Sequence, residues 1–116
     1  MARTDITAVV ITDTGFNLTD ATFTTMSTGA GNGVSFTQDQ SQRIILRNDT
    51  GGAATYTVKV PTPSSYATFS LALPDLDISV ATGKMYVLEP HSQFRQSDGN
   101  VYIDCSVAGK ILVLTA

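Results

Sequence analysis

Leu76-Asp77-Ile78-Ser79-Val80, Met85-Tyr86-Val87-Leu88, Val101-Tyr102-Ile103-Asp104-Cys105 and Ile111-Leu112-Val113-Leu114 are the runs that decide the fold of this chain. Between them lie Ala81-Thr82-Gly83-Lys84, Ser97-Asp98-Gly99-Asn100 (preceded by Phe94-Arg95-Gln96) and Val107-Ala108-Gly109-Lys110. Apolar residues recur at every second position in the first and third runs, and residues suited to tight turns separate the runs. A period of two punctuated in this way predicts strands, and strands in close series predict consecutive antiparallel hairpins.

The pattern extends upstream. Ile6 to Thr12 reads as a first strand ended by Asp13-Thr14-Gly15, and Val34 to Thr37 as another. Arg43 to Asn48 and Ala54 to Val60 read as a hairpin joined by Asp49-Thr50-Gly51-Gly52. On its second arm Tyr56, Val58 and Val60 share one face and Thr55, Thr57 and Lys59 the other, as a half-buried sheet requires. Pro61 and Pro63 end that arm, since proline cannot serve a central ladder. Two long loops interrupt the series: residues 19–33, with Phe23, Met26 and a Gly-rich run at 29–33 read as flexible, and residues 61–74, with Tyr66, Phe69, Leu71 and Leu73. No segment has a helical period.

The expected architecture is all-β: one domain over residues 1–116, an antiparallel β-sandwich or jelly-roll-like barrel of about eight short strands. Residues 1–5 form a candidate N-terminal arm. The alternation assigns Val9, Ile11, Leu46, Tyr56, Val58, Ile78, Val80, Val87, Ile103 and Val113 to the core.

Composition narrows the function. The chain has 116 residues, 42% hydrophobic and 15% charged, enough to bury one core. A net charge of −3 disfavours a nucleic-acid backbone as partner, because such binding needs a concentrated basic face. No apolar run approaches the roughly 18 residues of a membrane span, and no secretory leader is visible. A single cysteine, Cys105, leaves no intrachain disulfide and reads as a small buried hydrophobe.

The catalytic inventory is thin. His91 is the only histidine and sits in a turn-like Glu89-Pro90-His91-Ser92, with no nucleophile motif beside it. Asp75 and Asp77 are spaced to share one side of a strand, a pairing that serves calcium or glycoside hydrolysis, but a solvated strand face opposite Leu76 and Ile78 is the favoured account. The Gly-rich run lacks the Lys and Ser/Thr of a phosphate loop. Asn17-Leu18-Thr19 and Asn48-Asp49-Thr50 match the glycosylation acceptor pattern, a frequent chance match. The inventory predicts no enzyme, no cofactor, no metal and no small-molecule substrate.

What remains are groups that anchor proteins. Arg43, Ile45 and Arg47 share a face opposite Ile44 and Leu46, and read either as an interface patch or as edge protection. Tyr66 and Phe69 lie in a loop whose apolar residues need cover, from the core below or from a neighbouring subunit. These four, Arg43, Arg47, Tyr66 and Phe69, are the candidate interface residues.

The opening Met1-Ala2-Arg3-Thr4-Asp5-Ile6-Thr7, the central Arg43-Ile44-Ile45-Leu46-Arg47-Asn48 and the ending Phe94-Arg95-Gln96-Ser97-Asp98-Gly99-Asn100-Val101-Tyr102-Ile103-Asp104 resemble small head proteins of tailed bacteriophages, the capsid decoration or cement proteins. The resemblance implies a structural virion protein, made in the bacterial host cytoplasm and bound to the outside of an assembled shell. It also implies the major capsid protein as partner, homotrimers at threefold positions and a stabilising role. Two other readings share the composition. One is a carbohydrate-binding β-sandwich module using Tyr66, Tyr86 and Tyr102, weakened by the absence of tryptophan; the other is a tail, neck or fibre-associated virion component.

Overall fold

The computed structural model describes residues 3–10, 23–39, 41–60, 75–89, 94–96 and 98–115. Ten strands run through them: β1 (Thr4–Asp5), β2 (Val9–Val10), β3 (Thr24–Thr25), β4 (Val34–Thr37), β5 (Gln42–Arg47), β6 (Ala54–Val58), β7 (Leu76–Val80), β8 (Met85–Leu88), β9 (Asn100–Cys105) and β10 (Lys110–Thr115). One sheet has the order β1-β4-β9-β6-β7, the other β2-β10-β5-β8 with β3 also on β10. The apolar faces of both contribute to one core that includes Phe36, Ile44, Leu46, Tyr56, Val58, Ile103, Ile111 and Val113. The fold is an all-β sandwich.

Three expectations about this architecture change. The sheets are mixed, because β1 runs parallel to β4 and β2 parallel to β10, so the sandwich is not wholly antiparallel. The strands among the described residues number ten, the additional ones being two-residue pairings such as β1 and β3 that leave little alternation to read. Thr4 and Asp5 belong to β1, so the described part of the N-terminal arm is built into the sheet edge.

The larger correction concerns pairing. β5 and β6 do not form the expected hairpin: β5 pairs with β10 and β8, while β6 pairs with β7 and β9. The turns at 81–84 and 106–109 likewise carry the chain from one sheet to the other. These connections are arches, in which consecutive strands face each other across the core. Hairpin and arch both bury one face of each strand, so both produce the same alternation. Of the three predicted turns in this part of the chain, the one between Gln96 and Asn100 does fold back on itself: Gln96 N donates to Asn100 O at 2.8 Å, and Gly99 takes a φ of +87° that favours glycine.

Asn48 holds two arches side by side. Its Nδ2 donates to Gly52 O and to Val80 O, both at 2.8 Å, and its Oδ1 accepts from Thr50 N and Thr50 Oγ1. Its backbone N–H donates to Lys84 O, and its carbonyl accepts from Gly83 N. The side chain is fully buried. Asn48-Asp49-Thr50 is therefore a structural Asx turn whose amide is engaged inside the fold, not a presented glycan acceptor.

Of the expected core, Leu46, Tyr56, Val58, Ile78, Val80, Ile103 and Val113 are buried, and so is Cys105. Tyr56 crosses the sandwich, with its hydroxyl in donating reach of Arg47 O (2.8 Å) and Lys110 O (3.0 Å). Burial, with the neighbouring Cys105, pushes this phenol well above its ordinary range, so it stays protonated. Val9 is half-buried against a second apolar cluster, and Ile11 lies outside the described residues. Val87 is the exception: it is 60% exposed, because β8 is the edge of its sheet and Val87 faces away from the core.

Candidate protein interface

The outer face of the β2-β10-β5-β8 sheet carries the sequence-predicted arginines. Residues directly opposite in a ladder point to the same face. Val87, Ile45 and Leu112 therefore form one cross-strand row, and Met85, Arg47 and Lys110 the next. Arg43 and Leu114 form a third, which reaches Val9 on β2. Strands are polar outside and apolar inside when one face meets water. Here the outer face carries Val9, Ile45, Met85, Val87, Leu112 and Leu114 beside Arg43, Arg47 and Lys110, so it is apolar with a basic component.

Part of that face is covered within the chain. Phe23 packs on Ile45 and Leu112, with Val9 and Leu114 beside them. The Arg47 guanidinium lies over the Phe23 ring, 5.5 Å from its centroid. Phe23, which the sequence placed in an open loop, is thus the cap of an outer apolar cluster. Beyond the cap, Met85 and Val87 stand open at 61% and 60% exposure. At the other rim Arg43 reaches Glu89 at 3.4 Å and donates to Gln42 O, with about half of its side chain exposed.

Arg43 and Arg47 therefore do share a face with Ile45, as predicted, and the fold adds Met85 and Val87 to them. Met85 and Val87 were not legible as surface, because a strand's edge position depends on pairing and not on its own residues. Tyr66, Phe69 and His91 lie outside the described residues. Asp75 and Asp77 are not a pair: Asp75 accepts from Lys59 Nζ (2.6 Å) and Val60 N (2.9 Å), Asp77 from Thr57 Oγ1 (2.8 Å). Partial burial raises the Asp75 carboxyl, but the Lys59 and Val60 hydrogen bonds and the Lys59 charge outweigh it and leave it below its ordinary range. Among the described residues no cluster of His, Cys, Asp or Glu is placed to hold a metal ion.

The opposite outer face, on the β1-β4-β9-β6-β7 sheet, has a different chemistry. A polar groove is lined by Arg3, Asp5, Ser35, Asp98, Asn100 and Tyr102. Asp104 anchors it from below: its carboxylate accepts from Arg3 Nη2 (2.7 Å), Gly31 N (2.9 Å) and Gly33 N (3.1 Å). The Gly-rich run is thus an anion cradle filled by the chain's own carboxylate, pinned where a flexible loop was expected. Gly33 is required there, since a methyl group on it would overlap the Ile103 carbonyl oxygen. Arg3 also lies over the Tyr102 ring at 4.6 Å. Tyr102 donates to Asp98 at 2.6 Å, and this bond and the Asn100 amide hold the Asp98 carboxyl low while the Tyr102 phenol is raised.

No family model, curated protein or solved structure matches this chain.

Proposed function

We propose that the protein is a structural virion component that binds the outside of an assembled phage capsid and stabilises it, a decoration or cement protein without catalytic activity. The observation that supports this reading is the outer apolar face of the β2-β10-β5-β8 sheet, rimmed by Arg43 and Arg47 and left open at Met85 and Val87. Arginine at the rim of an apolar patch is the composition of protein interfaces. Repetition on a symmetric shell multiplies modest individual contacts into firm attachment. The major capsid protein is the proposed partner, and homotrimers on the shell are part of the same proposal.

Purified undecorated shells of the source phage should retain the protein saturably, with one class of site, and should then withstand heat or osmotic shock better. Arg43→Glu lies on an exposed rim and leaves the core intact. It should weaken shell binding by about tenfold or more, the scale of an interface hot spot of 1.4 kcal/mol or above. Equal retention of wild type and Arg43→Glu would remove this face from the contact. Shells that retain neither would refute the capsid reading.

The polar groove around Tyr102, Asp98 and Asn100 favours a second reading, binding of a neutral carbohydrate. Retention on a polysaccharide array, lost in Tyr102→Ala, together with failure to bind shells, would establish it in place of the first.

A further inference from the structure

We propose that β8 pairs edge to edge with β8 of a second copy, antiparallel about a twofold axis, so that two sandwiches share one continuous sheet.

Among the described residues, the backbone of β8 is half used. Asn48 N donates to Lys84 O, in the same register as the pairs Leu46–Tyr86 and Ile44–Leu88. Hydrogen-bonded and non-hydrogen-bonded pairs alternate along an antiparallel ladder. Tyr86 and Leu88 therefore direct their N–H and C=O groups to β5, while those of Met85 and Val87 point outward. Among the described residues no strand lies on that side.

Edge strands are ordinarily protected by charge, proline or a bulge. The edge strand β7 of the other sheet carries Asp77 within it. β8 has the sequence Met-Tyr-Val-Leu, with Met85, Tyr86 and Val87 at 61%, 46% and 60% exposure. An occupant must offer outward backbone groups and apolar side chains toward both faces of the sheet, opposite Met85 and Val87 on one and Tyr86 on the other. β8 itself meets both requirements. Its ends also carry opposite charge, Lys84 before it and Glu89 after it. Antiparallel pairing sets each Lys84 beside the Glu89 end of the other copy, whereas parallel pairing would set like charges together.

Twofold symmetry determines the register further. An axis normal to the sheet keeps equivalent faces on the same side, so opposed residues must have the same parity. Placing Tyr86 opposite Tyr86 of the second copy lets Met85 of each copy exchange both backbone hydrogen bonds with Val87 of the other. Each of the three exposed apolar residues then gains a cross-strand neighbour, and the two outer faces join into one apolar strip that stays open to a further partner. This contact is isologous, so it yields dimers in solution and links neighbouring assemblies on a shell. It is separate from any contact that closes a trimer.

Sedimentation of the intact protein should give a mass of two chains of 12.3 kDa each. Val87→Pro should halve it: the Val87 N–H points outward, so proline removes no β5–β8 bond. Val87→Lys should act likewise by placing charge on the edge. Tyr86→Cys tests the register without disrupting it. At a non-hydrogen-bonded pair the two Cα atoms stand about 4.5 Å apart, within the roughly 4.4–6.8 Å that a disulfide spans. Air oxidation should convert this variant into a covalent dimer. Val87→Cys, opposite Met85, should not cross-link, nor should wild type, whose Cys105 is buried. A wild-type monomer, a trimer unaffected by Val87→Lys, or a Tyr86→Cys variant that cross-links no better than Val87→Cys would each overturn the proposal. Arg43→Glu should leave the mass unchanged, which separates this contact from shell binding.

Discussion

Asp104→Ala should cost the domain about 3–5 kcal/mol, the scale observed when one partner of a buried ion pair is removed. The wild-type carboxylate is almost wholly enclosed, its side chain 7% exposed, and its partner Arg3 is 18% exposed. Truncation leaves the Arg3 guanidinium without its counter-charge. It also strips the acceptor from Gly31 N and Gly33 N, the second of these fully buried. Three segments lose their common anchor at once: the chain start before β1, the 29–33 loop and β9. Against a total stability of about 5–15 kcal/mol, the loss brings the domain close to unfolding at ambient temperature. Urea titration should show the midpoint falling with little change in slope. The double variant Arg3→Met/Asp104→Leu should recover part of the loss, because removing both charges abolishes the unpaired ion. A cost below about 1 kcal/mol for Asp104→Ala would place it among ordinary surface substitutions and would refute the anchoring role.

Asn48→Ala should be the next most damaging single change, about 3 kcal/mol. The amide satisfies Gly52 O and Val80 O and accepts twice from Thr50. Truncation opens a gap and leaves the Val80 carbonyl, in the interior, without that donor; each buried group so orphaned costs about 1–3 kcal/mol. Asn48→Asp is a sharper test, since it keeps the shape and the acceptor and removes only the two donors. It should destabilise at least as much as alanine, because a carboxylate would then face two carbonyl oxygens. Thermal unfolding of the two variants checks this. If Asn48→Asp melted with wild type, the amide bridges between the arches would carry no stability.

How much of this was legible in advance differs from residue to residue. Tyr56, Val58, Ile78, Val80, Ile103 and Val113 were assigned inward from alternation alone, and inward they are, because the pleat sends successive side chains to opposite faces whatever the strand pairs with. Gly99 was read correctly as a turn residue because the chemistry of a tight turn is local. The same local logic misread the turns after β5, β7 and β9 as hairpins, since a short polar connection serves an arch equally well.

Asn48 and Asp104 show the limit most clearly. Asn48 offered only a chance match to an acceptor pattern and Asp104 no signal of its own, yet each is buried among partners distant in the chain: Val80 for Asn48; Arg3, Gly31 and Gly33 for Asp104. Val87 was assigned to the core by alternation and is exposed, because β8 turns Tyr86 and Leu88 toward the core beside Leu46 and Ile44 and leaves Val87 on the outer side. The candidate interface divides in the same way. Arg43, Ile45 and Arg47 were placed on one face by spacing alone, whereas Phe23 as its cap and Met85 and Val87 as its open edge follow from the pairing of β8 with β5 and of β3 with β10. Sequence by itself determined the all-β class, the position of most strands and the inward side of the central ones, because these follow from a two-residue period and local turn chemistry. Tertiary structure alone decided the pairing, the edge and the buried polar anchors, because each depends on contacts between residues far apart in the chain, which no local pattern encodes.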